Sequence, residues 1–322
     1  MSRFALFLIT SLVCSVLCLS TAAAFDGPLQ VKNQFPLFLN IDAPYLESAY
    51  TETSFSANLS HSSVFMLKQS ARWSVQLDME LTELNLRYKK DIPNLFEVGV
   101  DVPVMRQTAG FMDGFLDWYH TTFNFPDYGR STRPKNSFLY EVRRDGAFVI
   151  QGDKDRIEIG DVRLSLKKMV LKNDPVISIK ADIELPTGDA PTGYGSGSID
   201  WGAALLVDKT FNDWLRTYTN IGAVFPGKYR GYETIPLKDY YYGGVGVEAA
   251  LWRHVSLLGQ VFAQTSPFPT MDISKVDGAA ILLVLGGRYS SGNHGAELSL
   301  TEDLNTTGAP DFIVTITYKL KM

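Results

Sequence analysis

The stretch that decides the fold covers residues 159–189 and reads IGDVRLSLKKMVLKNDPVISIKADIELPTGD. Apolar and polar side chains alternate through residues 162–167 and again through residues 177–185. Successive side chains of a β-strand point to opposite faces, so this period of two predicts two strands. Residues 172–175, Lys-Asn-Asp-Pro, supply a turn between them. The stretch therefore predicts a β-hairpin with one apolar and one polar face.

The same alternation recurs along most of the chain. It predicts twelve strong strands between residues 50 and 322, and a short additional strand at 148–151. Short links alternate with long ones after residue 157, which is typical of an up-and-down membrane barrel. Because such barrels have an even number of strands, we assign residues 148–151 to a loop. The predicted fold is all-β, an antiparallel up-and-down transmembrane β-barrel of about 12 strands.

The first two strands carry the least regular pattern. We predict a strand at 50–61, a loop at 62–72 and a second strand at 73–88. In this second strand the apolar positions are odd-numbered from Trp73 to Leu81 and even-numbered from Leu84 to Tyr88. A change of phase after Thr82-Glu83 predicts a β-bulge, in which one extra residue changes the direction of the following side chains.

Three features favour lipid as the environment of the apolar face. The predicted strands are long enough to cross a bilayer, which takes about 9–11 residues. The chain ends in an amphipathic strand at 312–322, as outer-membrane barrels do, although the last residue is Met322 and not the usual Phe. Aromatic residues crowd the predicted strand ends: Trp73, Tyr88, Trp201, Trp214, Tyr218, Tyr240, Tyr241, Trp252, Tyr289 and Tyr318. A soluble sandwich of two sheets remains the alternative.

The remaining segments complete the predicted domain organisation. Residues 1–24 resemble a signal peptide, with Arg3, an apolar run and three alanines before Phe25, and both cysteines lie within it. We predict an N-terminal periplasmic or lumenal segment at 25–49 and the outer-membrane barrel at 50–322. Residues 105–156 form its long extracellular loop. The net charge of −5 does not indicate a nucleic-acid-binding protein, which would carry an excess of basic residues.

The long loop contains a predicted short helix over residues 110–125, where aromatic side chains recur at nearly helical spacing. We expect this helix to fold over or into the barrel mouth and to restrict access. Its candidate functional residues are Phe115, Asp117, Trp118 and His120. Asp117 and His120 are three residues apart and share a helix face, which suits a capping or anchoring pair better than an acid–base or metal site.

Polar residues on the strands predict the character of the lumen. If the apolar face meets lipid, the polar face lines the lumen with charges of both signs. Mutual pairing across neighbouring strands is the favoured role for these residues, and a solute-selective site is the alternative. The candidates are Glu83, Arg87, Glu97, Asp101, Arg163, Lys167, Lys180, Asp182 and Glu184.

Several runs resemble an uncharacterised outer-membrane family, domain of unknown function 3187. They are EVGVDVP at 97–103, GFLDWYH at 114–120, GDVRL at 160–164, LPTGD at 185–189 and GSGSID at 195–200. The last two are also similar to outer-membrane proteins associated with phenol-degradation operons. The resemblance implies a barrel in the outer membrane and the passage of small hydrophobic or aromatic solutes.

These observations lead to one favoured function and two alternatives. We expect a passive channel or transporter for small solutes, including hydrophobic ones, in the outer membrane of a Gram-negative cell. A structural or adhesion barrel with a filled lumen is the alternative, and an outer-membrane lipid hydrolase is the third hypothesis. No nucleophile elbow, phosphate loop or HExxH motif is present. A lipid hydrolase needs a serine and a histidine on neighbouring strands, but His254 lies in a predicted turn and His294 at a predicted strand start. We therefore predict no catalytic residues, no metal and no cofactor. Expected partners are outer-membrane lipid, lipopolysaccharide, the barrel-assembly machinery and a small-molecule solute.

Overall fold

The structure is a computed structural model that describes residues 25–124 and 129–322, without the side chain of Phe123. The predicted signal peptide lies outside the described residues. Among the helices that are described, none is long and apolar enough to span a membrane.

Twelve long strands form the wall of a closed antiparallel barrel. They are β1 (Ser54–Gln69), β2 (Trp73–Ile92), β3 (Phe96–Thr108), β4 (Val162–Leu171), β5 (Val176–Leu185), β6 (Asp200–Asn212), β7 (Leu215–Phe225), β8 (Tyr240–Trp252), β9 (Val255–Gln264), β10 (Ala280–Ser291), β11 (His294–Asp303) and β12 (Phe312–Lys321). Each strand pairs with its neighbours along the chain, and β12 pairs with β1 from Lys321 opposite Ser54 to Phe312 opposite Ser63. The predicted twelve-stranded antiparallel barrel is confirmed.

Shorter elements extend one end of the barrel, which we call the long-loop end; the opposite end is the short-turn end. Leu139–Arg144 pairs with the start of β2 and with Ala147–Gln151. The strand Ala147–Gln151 belongs to the long loop and is not one of the wall strands, as predicted. Ile157–Ile159 pairs with β3, and Lys228–Arg230 pairs with Thr234–Pro236. The helices are α1 (Pro36–Leu39), α2 (Asp113–Phe123) and α3 (Ser274–Asp277), with 3₁₀ turns at Arg130–Thr132 and Ala190–Thr192. The predicted helix in the long loop is confirmed as α2.

Two predictions for β1 and β2 are wrong. β1 continues to Gln69, so most of the predicted loop at 62–72 is strand. The register between β1 and β2 runs without a shift from Ser54 opposite Lys89 to Gln69 opposite Ser74, so there is no bulge after Thr82. All odd-numbered residues of β2 from Trp73 to Lys89 therefore share the inward face. The pattern changes because the polarity of the barrel interior changes with depth.

The interior has an apolar half towards the long-loop end and a polar half towards the short-turn end. The apolar half is one buried cluster that combines wall, loop and N-terminal side chains, among them Phe35, Leu37, Phe38, Ile41, Trp73, Val75, Leu77, Met79, Leu81, Tyr140, Val142, Val149, Ile150, Tyr229, Phe268 and Met271. The polar half holds the buried charged residues of the strands.

The outside of the wall is apolar along most strands. Its exposed side chains include Leu59, Leu164, Leu166, Ile179, Leu205, Ile221, Val245, Val261, Leu285, Leu298 and Ile316. The hairpin of β4 and β5 shows the two faces directly, because Ile179 is exposed outside while its neighbour Lys180 is buried inside. An exposed apolar surface of this extent is unusual for a protein surrounded by water.

Candidate functional site

Residues 26–49 form a plug inside the barrel, and all of them are buried or half-buried. The plug begins at the short-turn end, where Lys319 donates a hydrogen bond to Asp26 at 2.7 Å. It reaches the long-loop end, where Asn33 and Asn40 donate at 2.7 Å to backbone carbonyls of the loops after β11 and β5. It then returns, and the backbone N–H of Ala49 donates to Asp208 of β6 at 3.0 Å.

One group of charges holds the descending arm of the plug near Asp42. The guanidinium of Arg163 lies 2.5 Å from the carboxylate of Asp42 and also donates to the backbone carbonyl of Ala43 at 2.5 Å. Glu184 accepts a hydrogen bond from the backbone N–H of Asp42 at 2.5 Å. Two neighbouring wall strands therefore fix both the charge and the backbone of this plug residue.

A second group surrounds Glu47. Its carboxylate accepts a hydrogen bond from Lys89 and forms an ion pair with Lys180 at 2.5 Å. Lys180 also lies 2.7 Å from Asp182 on the same strand. Asn220 of β7 donates to the backbone carbonyl of Glu47 at 3.0 Å and accepts from its N–H at 2.7 Å. The plug thus supplies a carboxylate between two wall lysines.

Tyr45 links the plug to a third charged pair. Arg87 donates to Asp101 at 2.8 Å, and the hydroxyl of Tyr45 donates to the same carboxylate at 3.0 Å. The guanidinium carbon of Arg87 lies 3.7 Å from the centre of the Tyr45 ring, which is a cation–π contact.

Two further wall residues complete the set. Lys167 pairs with Glu97 at 3.0 Å and donates to the backbone carbonyl of Ser48 at 3.1 Å. Glu83 accepts a hydrogen bond from Lys32 of the plug at 3.0 Å. The structure therefore brings together all nine residues singled out from the sequence, each buried and grouped around the plug: Glu83, Arg87, Glu97, Asp101, Arg163, Lys167, Lys180, Asp182 and Glu184.

Sequence reasoning missed the partners that come from the plug itself, chiefly Asp26, Asp42 and Glu47. Residues 25–49 carry no regular period, which left their place open between the periplasm and the lumen. A usable signal was their repeated carboxylates, which complement the lysines and arginines of the wall. Burying a charge is costly unless it is paired. Lysines and arginines on the inner face of the wall therefore need carboxylates close by, and residues 25–49 can supply them.

Little space remains between plug and wall in this part of the lumen. One cavity, bordered by Asp42, Tyr45, Arg163 and Asp182, has a volume of about 10 Å³. A second, bordered by Lys32, Glu83 and Glu184, also has about 10 Å³. A cavity of roughly 10–15 Å³ holds one water molecule, so neither admits a solute.

Helix α2 does not cover the mouth, so that prediction is wrong. Its buried Leu116 packs against Phe312 and Val314 of β12. These two side chains face the outside of the wall, because the alternate residues Thr315 and Lys319 are buried inside. The apolar stripe of the helix finds its partner on the apolar outer face of the barrel. At the long-loop end the interior is closed by the apolar cluster described above.

The four loop-helix candidates do not assemble into a chemical site. Asp117 pairs with Lys135 at 2.5 Å near the surface. Phe115 stacks on Tyr119, and the ring of His120 lies 6.1 Å from that of Tyr119. Trp118 is exposed. Within residues 25–124 and 129–322, no three His, Cys, Asp or Glu side chains are grouped as a metal site.

Comparisons with known proteins agree with the fold. A family model described as "Protein of unknown function (DUF3187)" matches residues 4–322. No curated protein matches the sequence. The crystal structure of the COG4313 outer membrane channel from Pseudomonas putida F1 has a TM-score of 0.57 at 12% identity and covers 88% of this chain and 100% of its own.

Two more solved barrels are more distant. The NanC porin has a TM-score of 0.48 at 6% identity, covering 83% of this chain and 100% of its own. The toluene transporter TodX from Pseudomonas putida has a TM-score of 0.38 at 9% identity, covering 89% of this chain and 91% of its own. Of these three, the COG4313 channel is similar enough to support the fold.

Proposed function

We propose that this protein, which belongs to the DUF3187 family of proteins of unknown function, is an outer-membrane channel for small solutes. The channel is closed by its own N-terminal plug. The apolar outside of the barrel supports a place in the outer membrane of a Gram-negative cell, where lipopolysaccharide would surround it. Its amphipathic last strand is the feature we expect the barrel-assembly machinery to recognise. The proposal assigns the protein no catalytic step.

The observation that carries the proposal is the chemistry of the contacts between plug and wall. In the polar half of the lumen the plug is held by ion pairs and hydrogen bonds, such as those of Asp42 with Arg163 and of Glu47 with Lys180. Water can replace such contacts when a segment withdraws, whereas it solvates an apolar interface poorly. In this half the plug can therefore leave without unfolding the wall, while in the apolar half its withdrawal also takes Phe35, Leu37 and Phe38 out of the buried cluster.

The solute class follows from the two halves of the interior. Once the plug has withdrawn its own side chains from the apolar cluster, a molecule entering from the long-loop end first meets the aromatic and aliphatic side chains that remain, such as Trp73, Leu77 and Phe268. It then meets the charged half. This sequence suits small solutes with a hydrophobic part, and we extend to this chain the channel activity that the COG4313 protein is described as having.

A disulfide between plug and wall tests the proposal. A Cβ atom added to Gly246 of β8 would lie 3.6 Å from the Cβ of Pro28 in the plug, within the range of about 3.5–4.5 Å found in disulfides. Residues 25–322 contain no cysteine, so the double variant Pro28→Cys and Gly246→Cys introduces a single pair. We expect the oxidised protein in planar bilayers to stay closed and the reduced protein to open.

The matched control joins two wall strands. A Cβ atom on Gly99 of β3 would lie 3.7 Å from the Cβ of Ser165 of β4, so Gly99→Cys with Ser165→Cys crosslinks the wall and leaves the plug free. Reduction should not change its conductance. Equal conductance of the oxidised and reduced plug variant, with the crosslink verified by mass, would argue against gating by the plug.

The second candidate is a structural or adhesion barrel with a permanently filled lumen. The water-sized cavities between plug and wall favour it. Swelling of liposomes in graded sugars and aromatic solutes separates the two functions. A channel admits solutes once the plug disulfide is reduced, while a filled barrel admits none in either state.

A further inference from the structure

A polar strip lies on the outside of the wall near the long-loop end of β1 and β2. In β1, Ser60 and Ser62 are buried inside, so His61 and Ser63 face outward. Their cross-strand partners Thr82 and Glu80 share that face. Two residues before Glu80 in β2, Asp78 also points out. Exposing polar and charged side chains to lipid at such positions costs free energy.

The long loop covers this strip and satisfies it. The carboxylate of Glu80 accepts hydrogen bonds from the backbone N–H groups of Phe111, at 2.9 and 3.0 Å, and Met112, at 2.6 Å. It also pairs with His61 at 2.8 Å. Asp78 accepts hydrogen bonds from Arg133 and Ser137. As a result Glu80 is 2% exposed and Asp78 is 4% exposed, although both point away from the lumen.

Arg130 fastens the loop at a second place. Its guanidinium donates to Asp113 at 2.6 Å, to the Ser63 hydroxyl at 3.3 Å and to Asp311. Burial raises the pKa of the Asp311 carboxyl, and the charge of Arg130 opposes that rise. The guanidinium also lies 5.1 Å from the ring centre of Phe65, which points outward from β1. The loop therefore rests on the exterior of β12, β1 and β2 through buried polar contacts.

The far side of the loop is aromatic. Phe111 is 73% exposed, Trp118 is 58% exposed and Phe115 is 42% exposed. On the adjacent side of α2, Met112 and Leu116 are buried against β12. The ring of Phe111 also stacks on His61 at 5.0 Å, and that of Phe115 lies 5.7 Å from Phe312. The aromatic side therefore rests partly on the wall and leaves a large apolar surface exposed.

The rest of the barrel indicates what this exposed surface meets. Trp201, Phe225 and Tyr241 are exposed on the outside at the long-loop ends of β6, β7 and β8. Trp201 and Phe211 of β6 lie about ten residues apart, the length that crosses a bilayer. Aromatic residues at this height form the outer girdle of a membrane barrel. On β1 and β2 the corresponding wall positions, Phe65 and Asp78, are buried beneath the loop.

We propose that Phe111, Phe115 and Trp118 insert into the acyl chains of the outer leaflet and replace the aromatic girdle over β12, β1 and β2. The surface is continuous with the apolar outside of the wall, which identifies lipid as its partner. The inference rests on the membrane position adopted in the proposed function. It turns a loop expected at the mouth into part of the lipid-facing surface.

Depth-dependent quenching tests this inference in the full-length barrel. Trp118→Cys places a single cysteine in residues 25–322, which carries a bimane label in phosphatidylcholine proteoliposomes. The quenchers are a lipid with a nitroxide near the glycerol end and aqueous iodide. We expect strong nitroxide quenching and weak iodide quenching. Ile316→Cys, on the exposed outside of β12, is the lipid control, and Lys154→Cys, on an exposed loop, is the water control.

The outcomes separate this inference from the proposed function. If the Trp118→Cys label responds to iodide as the Lys154→Cys label does, the helix faces water and the inference is wrong. If neither quencher reaches it, another protein copy covers the helix and the inference is also wrong. If the Ile316→Cys label shows no nitroxide quenching either, the membrane position itself fails.

Discussion

Replacing Glu47 by glutamine perturbs the plug where its charge is most enclosed. The carboxylate of Glu47 contacts Lys89 and Lys180, and all three side chains are buried. Glutamine keeps the shape of the side chain and removes the negative charge. The backbone hydrogen bonds between residue 47 and Asn220 remain. The variant therefore weakens the electrostatic contact of the plug without deleting its packing.

The magnitude follows from what the two lysines retain. Removing one partner of a buried ion pair costs about 3–5 kcal/mol. Lys89 keeps Glu97 at 3.7 Å and Lys180 keeps Asp182 at 2.7 Å, so we expect the lower end of that range. The cost falls on the closed state, because water hydrates both lysines once the plug has left. A change of about 3 kcal/mol raises the ratio of open to closed channels on the order of 100-fold.

Single-channel recording in planar bilayers measures this ratio directly. Asp78→Asn is the matched control, since it removes a buried carboxylate that contacts Arg133 and Ser137 on the outside of the wall and not the plug. We expect this control to lower thermal stability and to leave the open fraction unchanged. If Glu47→Gln also lowers only the thermal stability, its charge holds the fold together and does not control opening.

Three further predictions follow from the plug and the loop. Deleting residues 110–125 should leave single-channel conductance unchanged, because α2 lies outside the wall; a rise in conductance would restore a role for the helix at the mouth. Glu80→Gln should make the long loop sensitive to protease, because the backbone N–H groups of Phe111 and Met112 and the ring of His61 lose a charged acceptor. The heat-dependent gel shift of the barrel should persist. A loop as resistant to protease as in the unmodified protein would contradict this. Gly308→Ala should cost about 1–3 kcal/mol in thermal unfolding, because Gly308 has a φ of +55° and an added Cβ would lie 2.2 Å from the ring of Phe38. Gly246→Ala, where the nearest atoms are 3.5 Å away, serves as its control, and equal losses would argue against the strain.

The sequence was most informative where structure depends on neighbouring residues. The alternation at 162–167 and 177–185 lies within β4 and β5, and the predicted turn at 172–175 joins them. Their alternation follows from the geometry of an extended chain, whichever strands they pair with. The helical spacing in the long loop is equally local, so α2 was predicted within a few residues of its observed bounds. The strand count needed a further rule, the even number of strands in membrane barrels, because the alternation alone also marked residues 148–151.

The errors arose where one pattern fits two environments. In β2 the apolar residues Trp73 to Leu81 read as a continuation of a lipid-facing stripe, so the switch at Thr82 looked like a bulge. The structure keeps the register and buries those side chains inside, against the plug and the loops. Periodicity identifies which side chains share a face, but not what that face meets.

The sequence by itself therefore determined the strands and the two faces of each, because these follow from the repeat of an extended chain. The lengths of the links and the even strand count of membrane barrels set the antiparallel order and the number twelve. The tertiary structure alone decided where the plug and α2 lie. Asp42 reaches Arg163, and Leu116 reaches Phe312, across long stretches of chain. Such contacts form only once the barrel has closed and its inner and outer surfaces are in place. A local sequence pattern therefore does not predict them.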